Sequence, residues 1–165
     1  MAITLTVQLR DPIVPAHIAR AARGTLQRVS GVGGVPVLTV HGFADGSLIE
    51  LSEPGLPIRP GQMVAFGLQG RDDVVTLFVD VEGNQAQAVL SSAATRDATE
   101  QVLLLAIALQ LAESQNANID DGFGFWAPSG TIVPSTLIAK LAINPASDFV
   151  TACEALVATR QSASS

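Results

Sequence analysis

A chain of 165 residues, 48% hydrophobic and 15% charged, is long enough to bury a core and too apolar for disorder. Nine basic against fifteen acidic residues give a net charge of −6, which excludes a protein that relies on phosphate neutralisation, so no nucleic-acid partner is expected. Cys153 is the only cysteine, which excludes an intrachain disulfide.

Aromatic residues make up only 4% of the chain and tyrosine is absent, so the core must be aliphatic. The start, Met1-Ala2-Ile3-Thr4-Leu5, lacks the basic and apolar regions of a signal peptide. The longest apolar run, Val102 to Leu109, falls well short of the ~18 residues that a membrane span needs. A cytoplasmic protein without membrane contact is the expectation. Arginine outnumbers lysine eight to one, a bias typical of high-GC bacterial sequences.

Ile3, Leu5, Val7 and Leu9 alternate with polar residues, the period of a half-buried strand. A helix fits from Pro15 to Val29: proline suits a first turn, and Ile18, Ala22, Leu26 and Val29 share a face. Val35 to Val40 reads as a strand that Pro36 places at a start or an edge. Asp45-Gly46 is a turn dipeptide leading into a short strand, Ser47 to Leu51. The prolines at 54, 57 and 60 mark a stiff loop. Gln62 to Leu68 and Val74 to Val81 are further strands, the second rich in β-branched residues.

Asp97-Ala98-Thr99-Glu100 has capping-box spacing ahead of an apolar helix, Val102 to Ala112, which should be covered on more than one side. A strand is predicted for Ile119 to Trp126, a turn for Pro128 to Gly130 and a helix for Pro134 to Ile143. Asn144-Pro145 offers a cap and first turn for a last helix carrying Phe149, Cys153, Leu156 and Val157 on one face. The predicted architecture is one α+β domain over residues 1–160. It has a single, mostly antiparallel sheet of five to six strands, helices mainly on one face, and a disordered tail at 161–165.

No metal or cofactor is expected. His17, His41 and Cys153 stand at unrelated spacings. Gly31-Val32-Gly33-Gly34 follows a helix instead of opening one, the reverse of a phosphate loop, and no G-x-S-x-G elbow occurs. Asp120 and Asp121 next to Trp126 are the best candidates for acid/base work. As neighbours on a strand, however, they point to opposite faces. Trp126 is either core or a contact anchor.

Charge is uneven. Four arginines (10, 20, 23 and 28) face only Asp11 in the first thirty residues, whereas Asp45 to Asp121 holds twelve acids against three arginines.

The runs "VLLLAIALQLAES" and "NIDDGFGFW", with the elements around them from Val74 to Ala158, resemble small bacterial α+β proteins. Several of these are immunity proteins, cytoplasmic inhibitors of secreted toxins. The resemblance implies a non-catalytic binding protein that occludes a cognate toxin or effector. A contact surface drawn from Asp45, Glu50, Glu53, Asp72, Asp73, Asp120, Asp121 and Trp126 fits that role, because acids complement a basic site. The alternatives are a small-substrate enzyme using Asp120, Asp121 or His41, and a structural homo-oligomer such as a homodimer.

Overall fold

A computed structural model describes residues 2–93, 97–141 and 148–163. In chain order the elements are β1 (Thr4–Leu9), α1 (Pro15–Ser30), β2 (Leu38–Ala44), β3 (Ser47–Glu50), β4 (Met63–Leu68) and β5 (Val74–Glu82). Then follow β6 (Gln85–Ser92), α2 (Ala98–Gln115), β7 (Ile119–Asp120), β8 (Thr131–Ile132), α3 (Pro134–Lys140) and α4 (Phe149–Ala163). The strands form one sheet in the order β3-β2-β4-β5-β6-β1-β7-β8, every neighbouring pair antiparallel.

The α+β architecture is as expected, but the sheet has eight strands, not five to six. β6 was missed because Gln85, Ala86, Gln87 and Ala88 have little intrinsic strand preference. Its pairing with β5, from Val75↔Ser92 to Glu82↔Gln85, supplies what composition does not. The hairpin loop is Gly83-Asn84, with Gly83 at φ 61, the conformation that glycine adopts at the first loop position of a tight hairpin. The predicted strand Ile119 to Trp126 stops at Asp120, and β8 returns from the turn to pair with it. Further upstream, β2 starts at Leu38, past the Pro36 that cannot donate a ladder hydrogen bond. At the Asp45-Gly46 turn both residues have positive φ, 50 and 78, as a type I′ hairpin loop requires.

The helices lie on one face. Leu5 and Val7, Val75, Leu77 and Val79, and Ala88 and Leu90 are buried beneath them. α2 forms the centre of the core. It packs on β1, β5 and β6 below and on α1 and α4 at its flanks, and everything from Thr99 to Leu109 is buried. Asp97 caps it by accepting a hydrogen bond from Thr99 N at 2.8 Å, and Asn116 (φ 50) closes its end. α1 begins at Pro15 as predicted and ends on Gly31 at φ 68. The proline loop after β3 reaches across to α1: Ile58 N donates to Ile13 O and Ala16 N to Pro54 O, both at 2.9 Å, and Ile58 joins the core.

α4 runs to Ala163, so its backbone continues three residues into the segment expected to be a tail. The predicted Asn144-Pro145 cap lies outside the described residues, as do the last two residues of the predicted 134–143 helix. Because Leu104 is fully buried in the helix that all layers share, Leu104→Ala should lower unfolding free energy by ~2–5 kcal/mol. The measurement is a urea titration at unchanged far-UV circular dichroism.

Candidate functional site

With every described helix on one side, the opposite face of the sheet has none of the described helices over it. Strand register shows which side chains stand there, since cross-strand partners share a face and alternate residues switch faces. One row runs Glu50, His41, Ala65, Thr76, Ser91 and Thr4. A second runs Met63, Phe78, Val89, Thr6, Asp120 and Thr131. A third joins Asp80, Gln87 and Gln8.

Hydrogen bonds follow these rows: Gln87 Nε2 to Asp80 Oδ2 and Gln8 Nε2 to Gln87 Oε1, each at 3.4 Å, and His41 Nε2 with Thr39 Oγ1 at 3.0 Å. The centre, Met63-Phe78-Val89, is apolar, and Met63 is 45% exposed. Glu50, Asp80, Glu82 and Asp120 stand around it, and none of the face positions in these strands is lysine or arginine.

The candidate acids divide between surface and interior. Asp45, Glu50, Glu53, Asp72 and Asp120 are exposed. Asp73, Asp121 and Trp126 are buried, at 6%, 0% and 6% exposure, and so are withdrawn from the expected contact surface. Each has internal work.

Asp121 organises the loop that was read as a strand. Its Oδ1 accepts from Phe125 N at 3.0 Å, and its Oδ2 accepts from Trp126 N at 2.6 Å and Ala127 N at 2.9 Å. Its own backbone N donates to Gly130 O at 2.8 Å, and Gly124, at φ 63, donates from N to Asp121 O at 2.8 Å. A buried carboxylate is tolerated here because three N–H donors replace its water. The knot packs Trp126 edge-on against Phe125, with ring centroids 5.3 Å apart. Arg160 covers the Phe125 ring, its guanidinium carbon 3.4 Å from the centroid, and donates to Phe125 O. Burial lowers the Arg160 pKa, and the nearby Asp121 charge acts in the opposite direction.

Asp73 belongs to a network under the α2 N-terminus. Arg71 Nε donates to Asp73 Oδ2, Arg71 Nη2 to Thr99 Oγ1 at 3.0 Å, and Thr99 Oγ1 to Asp73 Oδ1 at 2.8 Å. The hydrogen bond to Asp73 raises the Arg71 pKa. The Thr99 hydrogen bond lowers that of Asp97, so the cap keeps its charge at neutral pH and is lost only as acid brings the pH down through that lowered value.

The enzymatic alternative named Asp120, Asp121 or His41, and the structure does not bring these three side chains together. Asp120 and Asp121 point to opposite sides of the sheet edge. His41, on β2, lies five strand spacings from β7, roughly 24 Å at ~4.8 Å per strand. Among the described residues no three His, Cys, Asp or Glu side chains cluster as metal ligands, and no helix is long and apolar enough to cross a membrane. Cys153 is fully buried, and desolvation pushes its thiol up to about 12.

What the sequence reading missed is a cavity of about 500 Å³ at the β8 end, between α3, α4 and the Trp126 loop, with Lys140 and Arg160 in its wall. Neither cation has a motif around it. Both line the cavity because α3 and α4 border it. Compared with protein families, curated proteins and solved structures, the chain matches none.

Asp121→Ala would leave three inward-facing N–H groups unpaired, so a loss of ~3 kcal/mol or more is expected in denaturant unfolding. Asp120→Ala, on the exposed side, should change stability by less than ~0.5 kcal/mol. Ellman's reagent at pH 8 should label no thiol in the native protein and one after guanidinium denaturation.

Proposed function

We propose that this chain is a non-catalytic binding protein that receives a partner protein on the helix-free face of its sheet. The carrying observation is the make-up of that face: an apolar centre at Met63, Phe78 and Val89, four carboxylates around it and no lysine or arginine among its described strand positions. Such a surface complements a partner with an apolar patch bordered by lysine and arginine, and long-range attraction would speed the encounter. An immunity-type inhibitor that covers the basic active site of a toxin is the most concrete form of this reading. Asp45 and Glu53, exposed near the β3 edge, would extend the contact.

Self-association through the same face fits less well. A two-fold pairing would bring two acid-bearing surfaces together with no lysine or arginine on the described strand positions of either to neutralise them.

The direct test is binding to the product of the adjacent gene by titration calorimetry at 50 and 500 mM salt. Phe78→Asp should weaken the complex by at least a hundredfold without unfolding the protein, since Phe78 is half-buried and faces away from the core. Glu50→Lys with Asp120→Lys should weaken it further, and affinity should fall with salt. Full affinity in Phe78→Asp would refute the assignment of the face.

A further inference from the structure

We propose that the outer edge of β3 is a strand-addition site, where a partner protein lays an extended segment antiparallel to Ser47–Glu50 with a lysine or arginine opposite Glu50. The proposal rests on the reading of this chain as a protein-binding protein and adds the form and chemistry of the contact.

β3 ends the sheet and pairs with β2 alone among the described strands. In a type I′ hairpin the residues flanking the loop, here Ala44 and Ser47, exchange backbone hydrogen bonds, and bonded and non-bonded pairs then alternate along the ladder. Ser47 and Ile49 therefore turn their N–H and C=O groups toward β2, and Leu48 and Glu50 turn theirs outward. Among the described residues no other backbone group pairs with them. The register from His41↔Glu50 to Ala44↔Ser47 is continuous, so no bulge twists this short edge away, and the strand contains neither lysine nor proline. The opposite edge differs: β8 has only two residues, and Pro134 follows close behind.

Side chains give the chemistry. Leu48 and Ile49 are 43% and 46% exposed and stand on opposite faces, so an added strand finds an apolar neighbour on each. Leu51 reinforces Ile49: both lie over Gly42, with Leu51 Cδ1 and Ile49 Cγ1 at 3.4 and 3.7 Å from where a Cβ would stand there. Asp45, Glu50 and Glu53 are exposed at or near the edge, and no lysine or arginine occurs in the sequence between Arg28 and Arg59. A cationic strand is therefore favoured. A second copy of β3 is not, since it would bring the same three acids to the edge.

The experiment is an NMR titration of the full chain with the peptide acetyl-Thr-Lys-Val-Val-Thr-Thr-Lys-amide and, separately, with the same peptide carrying Glu in place of Lys. Antiparallel pairing sets its first Lys opposite Glu50 and its valines opposite Ile49 and Leu48. The lysine peptide should bind saturably, move the Leu48 and Glu50 amide resonances downfield and slow their hydrogen exchange, with the glutamate peptide about tenfold weaker. Leu48→Pro removes an outward N–H and no bond to β2, so it should weaken the lysine peptide about tenfold at unchanged far-UV circular dichroism. Glu50→Lys, an exposed substitution, should reverse the preference between the two peptides whether or not the proline variant folds. Phe78→Asp should bind the lysine peptide as the parent chain does, so failure of the sheet face and failure of the edge are told apart. No saturable response, shifts at Met63 and Phe78 in place of Leu48 and Glu50, or equal affinity for both peptides would each overturn the proposal. So would an unaffected, folded Leu48→Pro, an unreversed preference in Glu50→Lys, or protection of the two amides by self-association of the free chain.

Discussion

A helix with no polar side must be covered on every side, and α2 imposes that condition on the whole molecule. Its residues from Thr99 to Leu109 are all buried, so the sheet floor alone cannot satisfy it, and α1 and α4 must flank it. Every long helix is thereby drawn to the same face. The sheet's other face is left without a helical layer, even though its central strands still carry Met63, Phe78 and Val89. The exposed apolar row follows from where the core forms. A single layer of helices cannot cover α2 and both faces of an eight-stranded sheet.

Periodicity made much of this legible in the sequence. The alternation of Ile3 to Leu9, the Pro15 start of α1, the Asp97 cap and the apolar α2 run each carry a local physical signal, and each forms close to where that signal places it. Signals failed where pairing or packing supplied the order instead. β6 is mostly glutamine, alanine and serine and is held by its neighbours β5 and β1. The Ile119 to Trp126 segment looks like a strand by composition, but the Asp121 carboxylate outcompetes the ladder by drawing the N–H groups of residues 125 to 127 onto itself. Which acids face water was equally hidden, since Asp72 and Asp73 are neighbours in the β4–β5 loop, where no periodicity tells an inward side chain from an outward one.

A single residue likewise separates Asp120, the last residue of β7, from Asp121, the first of the loop. Adjacent in sequence, they serve two opposed purposes: one is exposed on the sheet face beside Thr6, the other is buried as the anchor of a loop. A pair of carboxylates that looks catalytic in one dimension is thus divided between surface and interior. Asp73 repeats the pattern, joining Arg71 and Thr99 beneath α2 while Asp72 stays exposed.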